Sequence, residues 1–175
     1  MGLVEGLKHP DNAIPGFRGA LFSRTRHFLP DLIATLWAAR DRAKAASNKA
    51  LSQAIKIIMN SFYGVLGSGG CRFYDPRLAS SITLRGHSIM QQTREWIEAK
   101  GFEVIYGDTD STFVHLNRET NPQQAEQTGR ELAAMINDNW TALIRREFDL
   151  PCYLEIEYET HYRRFLMPTI RGLEK

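Results

Sequence analysis

"FEVIYGDTDSTFVHL", residues 102–116, is the stretch on which the reading of this chain turns. Apolar, β-prone runs lie on both sides of a short polar tip, the pattern of two strands joined as a hairpin. The tip, "YGDTDS" (Tyr106–Ser111), sets Asp108 and Asp110 two residues apart. Like charges that close disfavour each other's ionised form. A divalent cation would offset that cost, and so would full solvation in a turn. Side chains two apart on an extended strand share a face. Both carboxylates therefore aim at one point if the tip stays near-extended. Gly107 gives the backbone freedom there and leaves room for a ligand. Carboxylate oxygens suit Mg²⁺, which keeps several waters and draws its remaining ligands from phosphates. The competing reading is a plain tight turn, but the Asn-Gly or Asp-Gly pair expected of one is missing, because glycine precedes the acids.

Working outward, "FLPDLIATLWAARDRAKAA" reads as a helix, with Pro30 in its first turn and Leu32, Ile33, Leu36 and Trp37 as an apolar stripe. "SNK" interrupts it. "ALSQAIKIIMNSFYGVL" follows as a second helix with Leu51, Ile55, Ile58 and Phe62 on one side. Two helices joined by a short polar break form an antiparallel pair. A third helix starts at "YDPRLASSI", capped by Asp75 with Pro76 at its first position, and stops at Gly101. Asn121 and Pro122 open a fourth, running to about Arg146 with Leu132, Met135, Ile136 and Leu143 inward. "CYLEIEYE" and "YRRFLMPTI" read as two closing strands, and residues 1–26 as loop and turn. The expected class is α+β: an antiparallel helix pair attached to antiparallel strands packed on helices.

The 175 residues suffice for one domain or two small lobes, and 43% hydrophobic with 24% charged residues excludes a disordered chain. No apolar run approaches the ~20 residues of a membrane helix. "MGLVEGLKHP" lacks the basic start and long apolar run of a signal peptide, and Gly6 stands where myristoylation wants Ser or Thr. Cys71 and Cys152 have no metal-ligand spacing, which fits a reduced, cytoplasmic setting. The net charge of +2 hides an asymmetry. Residues 18–72 hold nine Lys/Arg and two Asp/Glu, whereas residues 95–159 hold five and fourteen. That division suits a polyanion held near a metal, and equally two solvated faces of different sign.

On the second helix, Lys56, Asn60 and Tyr63 share one face, opposite the Ile/Leu stripe. An ammonium, an amide and a phenol edge together suit a phosphate-bearing ligand with a flat base. Arg40 and Lys44 make a second i, i+4 pair on the first helix. Cations from two neighbouring helices can clamp a triphosphate. Singly, each has a plainer reading: Arg40 and Lys44 as solvated residues, Tyr63 as the rim of a core.

"KIIMNSFYG" (Lys56–Gly64) resembles the K-x3-N-S-x-Y-G motif of family B DNA polymerases, and "YGDTDS" resembles that family's palm metal motif. "LPDLIATLWAARDRAK" is similar to the first fingers helix, with Arg40 and Lys44 in its R-x3-K arrangement. "LEIEYE" and "RRFLMPTIRG" resemble late palm strands. "FYGVLG", "CRFYDPRLASSIT" and "MPTIRG" look most like a bacterial member of the family. The resemblance covers nearly the whole chain. It implies a palm-to-fingers connection at 1–26, a fingers helix pair at 27–70 and a partial palm at 71–175. It implies Asp110 as principal metal ligand, Asp108 as its partner and Glu157 as an auxiliary palm carboxylate. Arg40, Lys44, Lys56 and Asn60 would bind the triphosphate, with Lys56 assisting the leaving pyrophosphate, and Tyr63 would lie against the minor-groove side of the nascent base pair. The implied chemistry is nucleotidyl transfer assisted by two Mg²⁺ ions about 3.5–4 Å apart. The implied partners are primer–template DNA, a dNTP and a sliding clamp reached through other regions, with no membrane.

The family's site also uses an aspartate in a D-x-x-S-L-Y-P-S-like motif, and a K-K-R-Y-like segment; neither occurs in these 175 residues. The expectation is a fragment of fingers plus partial palm, inactive as a polymerase alone. A palm sheet without its first strand would favour self-association. Two other readings remain. One is a non-catalytic nucleotide- or nucleic-acid-binding module. The other is a metal-dependent phosphohydrolase, for which His115 is the nearest further ligand, on the wrong strand parity to join the two aspartates.

Overall fold

The computed structural model describes residues 2–108, 110–117 and 120–166, with the side chains of Val4, Glu5 and Asp108 left aside. The elements in order are α1 (Gly2–Lys8), a 3₁₀ turn (Pro10–Asn12), β1 (Ala13–Pro15), β2 (Leu21–Ser23), α2 (Leu29–Ala45), α3 (Lys49–Leu66), α4 (Pro76–Ala99), β3 (Glu103–Asp108), β4 (Ser111–His115) and α5 (Pro122–Phe148). This is an α+β chain. It divides into two compact units, Met1–Ile89 and Met90–Lys175, and α4 runs from one into the other. Among the described residues no helix is long and apolar enough to cross a membrane.

In the first unit, the expected loop over residues 1–26 is instead a helix and a hairpin. Residues in α1 and β2 meet through backbone rather than through an apolar stripe: a Cβ at Gly6 would overlap the Leu21 carbonyl. Such a contact leaves no periodicity to read. β1 and β2 pair antiparallel, Ala13 with Ser23 through Pro15 with Leu21. Arg18 and Gly19 close the hairpin with φ of 54° and 74°, the handedness that two-residue hairpin turns require. Ser81 on α4 holds this turn. It accepts from Phe17 N–H at 3.0 Å and returns its hydroxyl to the Phe17 carbonyl at 3.3 Å.

The helix pair forms as expected. α2 and α3 pack side by side, and Asn48 caps α3 by accepting from Leu51 N–H at 3.0 Å. Their apolar stripes are not buried, however. Only Ala43 and Ile55 are, while Trp37 is 53% and Ile58 49% exposed. Most of each apolar face thus stays open within this unit. Asp75 starts α4 as expected, accepting from Arg77 N–H at 2.9 Å and pairing with its guanidinium at 2.7 Å. That hydrogen-bonded guanidinium holds the Asp75 carboxyl below the usual carboxylate range.

In the second unit the core lies between the end of α4 and α5: Thr93, Ile97, Ala125, Ala133, Ile136 and Trp140 are buried. Trp140 donates its indole N–H to Thr93 Oγ1 at 3.1 Å and meets Trp96 edge-on, ring centres 4.9 Å apart. α5 opens with a capping box, Asn121 and Gln124 each bonding the other's backbone N–H. β3 and β4 form the expected hairpin, Glu103 paired with His115 and Asp108 with Ser111, with a bulge at Ile105.

The first closing strand does not form as a ladder, nor do the described residues of the second; residues 167–170 lie outside the described ones. Residues 152–158 still alternate, with Cys152, Leu154, Ile156 and Tyr158 half-buried and Tyr153, Glu155 and Glu157 exposed. The period-2 signal was real, but the partner is a helix. Asn137 on α5 donates to the Ile156 carbonyl at 2.9 Å and accepts from its N–H at 2.8 Å. Gly129, two turns earlier, leaves the space that the Tyr158 ring occupies.

Candidate functional site

Two groups of candidate residues sit on separate units. On the first, Lys56, Asn60 and Tyr63 follow one another along α3, and all three are exposed. Arg40 and Lys44 lie on α2. Lys44 is exposed and 3.9 Å from Asp41, a loose contact one turn back on its own helix. Arg40 is half-buried, and its Nε is buried with no hydrogen-bond partner among the described residues. An orphaned guanidinium N–H is costly, and an acceptor brought by a ligand would relieve it. Tyr63 differs from its neighbours in having a fixed partner: its hydroxyl lies 2.7 Å from Thr83 Oγ1 on α4.

On the second unit, β3 ends at Asp108, which pairs with Ser111 across a two-residue connection holding Asp110. Asp110 therefore stands in the turn and not on a strand. Strand parity thus does not set which way its carboxylate faces. Register alone brings the two residues to one hairpin tip. The Asp110 carboxylate is exposed, and its Oδ1 takes the Ser111 hydroxyl at 3.5 Å. Below the tip, Tyr106 and Phe113 pack ring to ring at 5.5 Å, with Phe165 stacked on Phe113 at 4.6 Å. The tip is thus carried on an aromatic base. His115 sits at the opposite end of the hairpin, 3.4 Å from Glu103, away from the acids. Glu157 is exposed on the extended segment held by Asn137.

A family model for DNA polymerase family B matches residues 22–169. The chain belongs to that family. Its sequence is 54% identical to DNA polymerase II of Escherichia coli over 99% of this chain and 22% of that protein. It is 33% identical to a DNA polymerase of Thermococcus gorgonarius over 78% of this chain and 18% of that one. The fold is similar to a family B DNA polymerase from Pyrobaculum calidifontis, with TM-score 0.51, 24% identity, and coverage of 81% of this chain and 18% of that one. The chain therefore spans about a fifth of the length of these relatives. The resemblance drawn from Lys56–Gly64 and Tyr106–Ser111 is borne out, including its bacterial character.

Family B DNA polymerases use divalent metals. The donors at the hairpin tip are hard carboxylate and hydroxyl oxygens, the kind Mg²⁺ takes. Among the described residues no three His, Cys, Asp or Glu side chains gather into a metal-binding group. The tip thus fits part of such a site. Thr83 and Asn137 were not found from sequence, because their partners lie twenty and nineteen residues away on other elements.

Proposed function

We propose that this chain supplies the fingers and part of the palm of a DNA-directed DNA polymerase, which adds dNTPs to a primer 3′-end in the bacterial cytoplasm. Residues 27–70 would be the fingers, 1–26 their connection to the palm and 71–175 the partial palm. The observation carrying the proposal is the exposed Lys56–Asn60–Tyr63 face on α3, within a chain of this family.

Lys56 and Lys44 offer ammonium groups to the triphosphate, Arg40 its Nε, which has no partner among the described residues, and Asn60 its amide. Lys56 can also give a proton to the leaving pyrophosphate. Tyr63 presents a half-exposed ring to the edge of the nascent base pair. Asp110 and Asp108 would hold Mg²⁺, with Glu157 auxiliary. When bound, the metal pair lowers the cost of charge on the attacking and leaving oxygens. The partners are primer–template DNA and a dNTP.

The test measures Mg²⁺-dependent dNTP and primer–template binding by wild type, Lys56→Ala and Asp110→Ala. A hydrogen bond to a charged group is worth roughly 1.5–3 kcal/mol, so Lys56→Ala should weaken triphosphate binding about 10- to 100-fold. Unchanged affinity would refute the clamp assignment.

A further inference from the structure

We infer that Asn137 is a positioning residue for Glu157: by gripping the backbone beside it, Asn137 sets where this carboxylate stands and so how well the site takes a divalent cation. This rests on the reading of Glu157 as an auxiliary metal carboxylate proposed above. The Glu157 side chain is exposed and has no hydrogen-bond or ion-pair partner among the described residues. Its place is therefore set through the residues on either side of it.

The alternation over residues 152–158 decides which face of the segment turns inward, and Glu157 is on the outer one. Alternation tolerates a slip of two residues, which would carry the carboxylate about 7 Å along the strand. A Mg²⁺–oxygen bond is only about 2.1 Å long, so no such shift leaves a ligand in place. Two contacts flank Glu157 and remove that freedom. The Tyr158 ring fills the space left by Gly129 on α5. The Asn137 amide donates to the Ile156 carbonyl at 2.9 Å and accepts from the Ile156 N–H at 2.8 Å. A ring can swing about its own Cβ, whereas the amide holds the backbone from which the Glu157 side chain springs. Further on, Tyr162 and Phe165 pack on Phe113 of β4, with ring centres 6.3 and 4.6 Å apart. The segment thus runs from α5 to the hairpin that carries Asp110. A shift at Ile156 changes where Glu157 stands relative to that hairpin.

The experiment uses a full-length family B polymerase carrying this stretch, as wild type, Asn137→Ala, Asn137→Asp, Glu157→Gln and the Asn137→Ala/Glu157→Gln double variant. Two midpoints are read: the Mg²⁺ concentration for half-maximal single-turnover insertion, and Mn²⁺ binding followed by electron paramagnetic resonance without dNTP. Losing a group that orients a metal ligand costs about 10- to 100-fold in metal affinity. Asn137→Ala and Glu157→Gln should each raise both midpoints about tenfold, and the double variant should be no worse than Glu157→Gln. Asn137→Asp keeps the acceptor for the Ile156 N–H and should fall between wild type and Asn137→Ala. A merely structural role would lower the amount of active enzyme and leave both midpoints where they are. Should Asn137→Ala fold poorly, Asn137→Asp carries the comparison. If the Asn137 variants keep wild-type midpoints, or if Asn137→Ala costs as much in the Glu157→Gln background as in wild type, the role of Asn137 is overturned with the reading of Glu157 intact. If Glu157→Gln itself moves neither midpoint, the reading of Glu157 falls and the inference falls with it.

Discussion

Replacing Asn137 by Ala removes the side-chain clasp that ties the Ile156 backbone to α5. The Asn137 amide both donates to and accepts from the Ile156 backbone, at 2.9 and 2.8 Å, as an antiparallel strand neighbour would. Each such bond contributes about 1 kcal/mol net, so the pair is worth about 2 kcal/mol, roughly a 30-fold change in a local opening equilibrium. Alanine is the better helix former, so α5 itself should not weaken. Site-resolved amide hydrogen exchange separates the two effects. The Ile156 amide should exchange about 30-fold faster, whereas amides in the middle of α5 keep their rates. Unchanged exchange at Ile156 would mean the segment is held by its apolar contacts and not by the clasp. An increase spread evenly over the second unit would mean that the residue supports the whole core, again contrary to the reasoning. Glu157 follows Ile156 directly, so the same variant tests whether a candidate palm carboxylate depends on this clasp for its place.

Gly129→Ala should destabilise the chain by about 1–3 kcal/mol in urea unfolding, because the new Cβ overlaps the Tyr158 ring; the helix-propensity gain of about 1 kcal/mol would otherwise make the change stabilising, so the sign decides. The Asp75 carboxyl is held below its ordinary range by Arg77, so its contribution to stability is present above about pH 4 and is lost as pH falls through the lowered folded-state value. Thermal melts of wild type and Asp75→Asn should therefore differ at neutral pH and converge in acid.

The four longer helices, α2 to α5, were legible because their signals are local. Pro30, Pro76 and Asn121 mark starts within a turn of where α2, α4 and α5 begin. The hairpin was legible from β-prone runs on either side of a polar tip, and its two-residue connection explains why the strand-parity argument failed at Asp110. What sequence concealed is contact between distant elements. The alternation in residues 152–158 correctly signalled an extended segment with one face inward, but alternation does not say what lies beside a strand, and here it is Asn137. Apolar stripes on α2 and α3 likewise say which face avoids water and not whether anything covers it; Trp37 and Ile58 are half-exposed. At the candidate site, residue types and spacing named Lys56, Asn60 and Tyr63, but nothing near Tyr63 in sequence points to Thr83.

Charge is divided unevenly between the two units. The unit spanning Met1–Ile89 holds twelve Lys/Arg and five Asp/Glu, and the unit spanning Met90–Lys175 holds ten and fifteen, so +7 and −5 underlie the net +2. A polyanion is drawn to the first and repelled by the second over about a Debye length, roughly 10 Å at 0.1 M salt. A metal-binding tip and a merely solvated one then differ in sign. If Asp110 is a solvated turn residue, Asp110→Asn removes one repelling charge and raises affinity for DNA with or without Mg²⁺. If Asp110 holds Mg²⁺, the same change raises affinity without the metal and lowers it with the metal, because a cation that offset several carboxylates is lost along with one of them. Titrating labelled primer–template DNA in EDTA and in Mg²⁺, at matched ionic strength, reads that crossing directly. Parallel gains in both conditions would return Asp110 to the solvated turn.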